Sequence, residues 1–190
     1  MRERTLSRRN AFKGRLLKVD ILEVELDNGI RARREIVRHP GAVVIVAERP
    51  DGSLVLVRQY RKAIESELLE FCAGTLEPGE KPAACAAREL QEETGFTAAA
   101  WRKLGLLHLA PGYSEERLHV FHARLRPTPR GGAPDADETL QVVTLSRAEF
   151  ERRIAAGRIT DAKTLAAWTL RCRRLTASRR RRQSTSAPRR

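Results

Sequence analysis

No stretch of this 190-residue chain approaches the roughly 20 consecutive apolar residues needed to cross a bilayer. The basic segment from Met1 to Lys13 lacks the apolar core of a secretory signal, so a cytoplasmic protein with no membrane association is expected. Cysteines number only three, Cys72, Cys85 and Cys172, odd in count and widely spaced. That excludes a disulfide framework and a zinc ligand set and leaves reduced thiols, with Cys85 a packing residue. Aromatics make up only 5% of the chain. Tyr60, Tyr113 and Phe12 are the candidates for stacking on a base, and at this scarcity all are read first as core. Internal repeats are absent, and 21.4 kDa is enough for one well-buried domain and too little for two.

Acidic residues are missing altogether from positions 171–190, which carry nine arginines. The net charge of +13 therefore belongs largely to the end of the chain, since the other 170 residues hold 28 basic and 24 acidic groups. Residues 173–190 read as a disordered Arg-rich tail able to make weak, salt-dependent contact with a polyanion. No recognition helix of the helix-turn-helix type is visible after Arg171, which argues against a nucleic-acid-binding regulator.

Before that tail, strand signals dominate. Residues 1–13 read as a flexible basic N-terminus and 14–38 as an antiparallel ribbon. In that ribbon Leu16–Leu26 and Ile30–Val37 alternate about the hairpin signal Asp27-Asn28-Gly29. A single domain is expected over 39–172. His39-Pro40-Gly41 opens it, the apolar run Ala42–Ala47 reads as a buried strand, and Pro50-Asp51-Gly52 turns into a second strand, Leu54–Gln59. Trp101–Leu109, Leu118–Leu125 and Thr139–Leu145 read as further strands; His108, His119 and His122 fall within the first two and are read as structural. Ser146 and Glu149 form a capping-box pattern for one helix, and a second runs from about Asp161 through Trp168. Mixed strands flanked by helices give an α/β class, an α/β/α sandwich with a mixed sheet preceded by an N-terminal β-hairpin.

The most specific segment is Gly74–Phe96, GTLEPGEKPAACAARELQEETGF. Pro82 suits a first helical turn, the alanines and Leu90 continue it, and Gly95 stands where a left-handed cap would end it. On that helix Glu89, Glu92 and Glu93 lie at i, i+3 and i+4, so their carboxylates leave one face close together. Hard oxygen donors in such a cluster suit Mg²⁺ or Mn²⁺. Position for position the segment resembles the box of the Nudix hydrolase superfamily: Gly74, five residues, Glu80, seven residues, then Arg88-Glu89-Leu90-Gln91-Glu92-Glu93-Thr94-Gly95-Phe96. Val57–Arg61 and Glu67–Gly74 resemble the lead into the box in the ADP-ribose pyrophosphatase subfamily, and Pro111 stands sixteen residues past Gly95, as in that subfamily. The resemblance covers about residues 14–170. It departs at Phe71-Cys72, where a proline is usual, a change expected to affect the loop and leave the chemistry intact.

The resemblance implies Mg²⁺-dependent hydrolysis of ADP-ribose to AMP and ribose 5-phosphate, with another sugar nucleotide or a dinucleotide as the alternative. It assigns Glu89 and Glu93 as main metal ligands, Glu92 as a supporting ligand and the carbonyl of Ala73 as a further one, with Arg88 and Glu80 orienting the cluster. The general base would be Glu138, with Asp135 and Asp137 next in line. Arg61 would grip phosphate, with Arg58 as second choice; Glu70 would reach ribose or support the box; Tyr113 would contact the base. In relatives the N-terminal strands are exchanged between subunits. A homodimer follows from that, with Arg34 or Phe12 as candidates to act across the interface.

Overall fold

A computed structural model describes residues 2–15, 17–131 and 140–185, with side chains described as far as Arg173. Three N-terminal strands, β1 (Glu3–Lys13), β2 (Lys18–Leu26) and β3 (Arg31–Arg38), form an antiparallel sheet in that order. The β2–β3 turn is the one the sequence signals. Gly29 takes φ 80°, and the Leu26 N–H donates to the Ile30 carbonyl at 2.9 Å.

The second sheet contains β4 (Ala42–Glu48), β5 (Leu54–Arg61), β6 (Ser66–Glu70), β7 (Ala73–Thr75), β8 (Ala98–His108), β9 (Arg117–Leu125) and β10 (Leu140–Leu145). Its order is β10-β5-β4-β9-β8, with β6 added to β5 and β7 to β4. Only the β4–β9 pairing is parallel, so the sheet is mixed. Residues Val43–Ala47 are wholly buried, as an apolar strand covered on both faces must be. Alternation divides them. Val43, Ile45 and Ala47 pack with Cys85, Ala86 and Leu90 of α1 (Pro82–Thr94). Val44 and Val46 pack on the other side with Phe150 of α2 (Arg147–Ala155) and with Ala167 and Trp168 of α3 (Ala162–Thr185). The result is an α/β/α sandwich in which α1 has one face to itself. Phe71 fits this plan without the usual proline after it: its ring lies 5.2 Å from Phe150 and 6.4 Å from Trp168.

Two expectations need correction. Residues 3–13 are strand β1, where a flexible arm was expected. All eleven residues are exposed, so no apolar periodicity marks them. Their order comes from backbone pairing with β2 and from cross-strand ion pairs, Arg4–Glu25 at 2.9 Å, Arg8–Asp20 at 2.5 Å and Arg34–Glu3 at 2.6 Å. The last helix, expected to end near Trp168, keeps helical backbone to Thr185, through the first part of the expected disordered tail. Arginine is a good helix former, and neither Gly nor Pro interrupts the run before Pro188. Thr139, Leu16 and the final residues 186–190 lie outside the described residues.

A polar tie joins β4, β9 and α3. Glu48 Oε2 lies 2.9 Å from His122 Nε2 and accepts from Arg171 Nη2 at 2.6 Å. The His122 contact, opposed by partial burial and assisted by Arg171, holds the Glu48 carboxyl down at about 2. A carboxyl held below its unfolded value contributes stability that is complete above the ordinary carboxylate range and is lost as pH falls through its folded value. Between pH 6 and pH 2.5 the urea midpoint of Glu48→Gln is therefore expected to fall less than that of the parent chain. Parallel pH curves would contradict the assignment.

Candidate active site

The helix α1 begins with Pro82 at its first position and ends at Gly95, which takes the left-handed φ of 72° and donates to the Gln91 carbonyl. Before it, the turn Glu77–Glu80 is closed by the Glu80 N–H donating to the Glu77 carbonyl at 3.0 Å, with Gly79 at φ 78°. This turn returns the Glu80 side chain toward the helix. Arg88 meets it as a fork, Nε to Oε1 at 3.0 Å and Nη2 to Oε2 at 2.9 Å. The same guanidinium donates through Nη1 to Glu89 at 2.8 Å and Glu92 at 3.0 Å, and through Nη2 to the Thr75 carbonyl at 3.3 Å. One cation thus satisfies three carboxylates and a loop carbonyl. Glu80, with burial opposing, is held at about 2 by Arg88, and Arg88 in turn is raised above its ordinary value, chiefly by Glu80.

Glu93 points the other way, into the protein. It is buried, and its Oε2 accepts from the Ala73 N–H at 3.3 Å. Ala73 belongs to β7, which β4 holds in register, Val44 opposite Ala73 and Val43 opposite Gly74. The strand pairing therefore fixes the loop against the helix. Its closest approach is at Gly74, where a Cβ would stand 1.8–2.3 Å from the carboxylate atoms of Glu89. Only glycine leaves that space. Cys85 is fully buried below, its Sγ 3.6 Å from the Thr75 carbonyl, and burial pushes its thiol up to about 12, as a packing residue requires.

Glu89, Glu92, Glu93 and the Ala73 carbonyl supply hard oxygen donors around one helical turn, a set suited to Mg²⁺ or Mn²⁺. Among the described residues no three acidic, histidine or cysteine groups stand as a finished cage. Glu89 and Glu92 are turned to Arg88 and Glu93 to Ala73. The donor set and the glycine clearance fit a divalent ion.

Other expected site residues are placed as follows. Arg61 and Glu70 meet as a fork, at 2.8 and 2.6 Å, with Glu70 buried. Burial pushes the Glu70 carboxyl up, but Arg61 and Lys163 outweigh it, so it lies below its ordinary value. Arg58 is exposed and, three residues before Arg61 on β5, faces the opposite side of the strand. Tyr113, Tyr60 and Phe12, read as core, are 60%, 52% and 56% exposed. Tyr113 stands in a turn whose carbonyl accepts from the Val37 N–H of β3 at 2.7 Å. Of the histidines, His122 is buried against Glu48, His119 is half-buried and His108 is exposed. Glu138, Asp135 and Asp137 lie outside the described residues. Their segment starts just after Gly131, which lines a cavity of about 250 Å³ with Arg88, Gln91 and Glu92.

The residues that sequence reasoning missed are Asp161, Lys163 and Thr164 at the start of α3. Lys163 bonds Glu70 and, at 3.0 Å, Asp161. Thr164 Oγ1 accepts from the Phe71 N–H at 2.9 Å and donates to Asp161 at 2.6 Å. Asp161 at a helix start is legible as a cap. The ties of its neighbours Lys163 and Thr164 to Glu70 and Phe71, each 93 positions away, are not.

A model of the NUDIX domain matches residues 37–167. The chain belongs to the Nudix family. It is an enzyme of that family's pyrophosphohydrolase class. It is 36% identical over 165 residues to the ADP-ribose pyrophosphatase of Bacillus subtilis (strain 168), covering 86% of this chain and 89% of that one. To the methanol dehydrogenase activator of Bacillus methanolicus it is 39% identical over 166 residues, 87% and 90% of the two chains. To the GDP-mannose pyrophosphatase of Yersinia enterocolitica it is 34% identical over 170 residues, 83% and 86%. A crystal structure of an ADP compounds hydrolase superposes with a TM-score of 0.82 at 29% identity, covering 94% of this Nudix chain and 96% of the other.

Replacing Gly74 by alanine separates the site from the fold. The conflicting atoms are the end of the Glu89 side chain, which can swing away. Stability is expected to change by less than about 1 kcal/mol in urea denaturation while turnover drops sharply. A large stability loss, or unchanged turnover, would show that the close approach is not what holds Glu89.

Proposed function

We propose that this Nudix enzyme cleaves the pyrophosphate bond of ADP-ribose, releasing AMP and ribose 5-phosphate, with Mg²⁺ or Mn²⁺ held by Glu89, Glu92, Glu93 and the Ala73 carbonyl. The observation that carries the reading is the complete carboxylate set, anchored by Arg88 against a loop that leaves room for Glu89. The likeness to proteins named for ADP-ribose and ADP compounds supports that choice of substrate. When bound, a divalent ion neutralises phosphate oxygens and lowers the pKa of an attacking water. Arg88 and Glu80 fix the direction of the carboxylates, and the Glu70–Arg61 fork, braced by Lys163, presents positive charge beside them for phosphate. Glu138, which lies outside the described residues, is the proposed general base. Arg58 and Tyr113 are the remaining proposed contacts, Tyr113 through its exposed ring.

A second substrate class, other nucleoside diphosphate sugars, is favoured by the likeness to a GDP-mannose pyrophosphatase. Turnover of ADP-ribose, GDP-mannose, dinucleotides and nucleoside triphosphates, with Mg²⁺ and with EDTA, decides between them. ADP-ribose is expected to be cleaved fastest, only with metal, and not by Glu93→Gln. Preference for GDP-mannose would move the substrate, and metal-independent turnover would remove the reaction class.

The proposed homodimer uses the N-terminal sheet, whose β1 is exposed along its length and carries Leu6 and Phe12 open to solvent. Arg34, forked to Glu3 at 3.1 and 2.6 Å, would brace that surface. Deleting residues 1–38 is expected to yield a monomer with weakened substrate affinity. A truncated monomer with unchanged kinetics would sink the idea. A cytoplasmic location and weak polyanion contact by the Arg-rich end belong to the same proposal; among the described residues no helix is long and apolar enough to cross a membrane.

A further inference from the structure

Away from the carboxylate helix, a cavity of about 310 Å³ opens between β8, β9 and α3. Its walls are Arg102 of β8, His122 and Arg124 of β9, and Arg171 of α3, over an apolar floor of Ala100 and Leu104. The strand register explains the convergence. Arg102 pairs with His122 and Ala100 with Arg124, so these side chains share one face of the sheet, the face that α3 covers.

That face is opposite the one holding α1. The separation also runs along the strand. Val44 of β4 pairs with Ala73 at the carboxylate site, whereas Glu48, which anchors His122 and Arg171, lies four residues further on, about 13 Å at ~3.3 Å per residue. The cavity is no extension of the active site.

Its charge is out of balance. Among the described residues Glu48 is the one acidic group tied to the cavity wall, against the three arginines, and it already serves Arg171 and His122. Arg102 and Arg124 are exposed, and their side chains make no ion pair or hydrogen bond among the described residues. Arg171 is more telling. Its side chain is only 11% exposed, and while Nη2 bonds Glu48, its Nε is buried with no acceptor. A buried guanidinium donor left unpaired costs more than an ordinary hydrogen bond gains, so the geometry calls for an acceptor that the described residues do not provide.

We infer that this cavity is a second anion site, taking the phosphate group of a small phosphate monoester or of free inorganic phosphate. Guanidinium forks match phosphate oxygens, and the volume admits a small molecule and no folded partner. The inference does not rest on the substrate proposed for the carboxylate site.

The test is NMR of the full chain labelled at its arginine side chains, following the Arg171 Nε–H signal on addition of inorganic phosphate, AMP, ribose 5-phosphate and a short single-stranded RNA, without divalent metal. A saturable shift with the small phosphates is expected, about tenfold weaker in R102Q/R124Q, a surface pair whose replacement leaves hydrolysis unchanged. Tighter binding of a monoester than of phosphate would name the monoester as occupant; equal binding would name free phosphate. An Arg171 signal that does not move, that moves equally in the double variant, or that responds to RNA alone overturns the proposal.

Discussion

The guanidinium of Arg88 is the interaction on which the site depends. Glu80, Glu89 and Glu92 would repel one another across one helical turn and a tight loop. Arg88 lies within 3.0 Å of all three and reaches the Thr75 carbonyl as well. Helix, loop and strand β7 are thereby fastened at one point. The glycine at position 74 follows from that fastening, because the loop comes so near the helix that a side chain there would displace Glu89. Charge neutralisation and steric clearance are two aspects of the same contact.

The sandwich places this contact where chemistry can use it. Strand β4 is covered on both faces, and its first half carries β7 and so the Ala73 end of the loop. One face belongs to α1 alone, leaving its acidic edge open beside Gly131. From the other face α3 sends Lys163 and Thr164 back to Glu70 and Phe71, so the loop entering the site is gripped from both layers. The aromatic cluster of Phe71, Phe150 and Trp168 does for packing what this polar tie does for direction. Further along β4, Glu48 joins the third helix to the sheet through Arg171, which with Arg102 and Arg124 lines the second cavity.

Much of this was legible in the sequence. Pro82, Gly95 and the spacing of Glu89, Glu92 and Glu93 fixed the helix and its acidic face, because caps and i, i+4 neighbours are local facts. Buried strands such as β4 announce themselves by composition. Strand β1 did not, since its eleven residues are all exposed and its order comes from pairing and ion pairs that leave no periodicity. The exposed Tyr60, Tyr113 and Phe12 defeated a composition argument, because burial averages for a residue type do not fix where any single side chain lies. The partnership of Glu70 with Lys163, and of Glu48 with Arg171, spans 93 and 123 positions; such contacts exist only once the topology does.

Binding of Mn²⁺ followed by its electron paramagnetic resonance tests the central claim most directly, because it reads the carboxylate cluster without assuming a substrate. The account predicts saturable binding by the parent chain, lost in Glu93→Gln and weakened by roughly 10- to 100-fold in Arg88→Gln, which removes no ligand. Equal binding by all three proteins would contradict it.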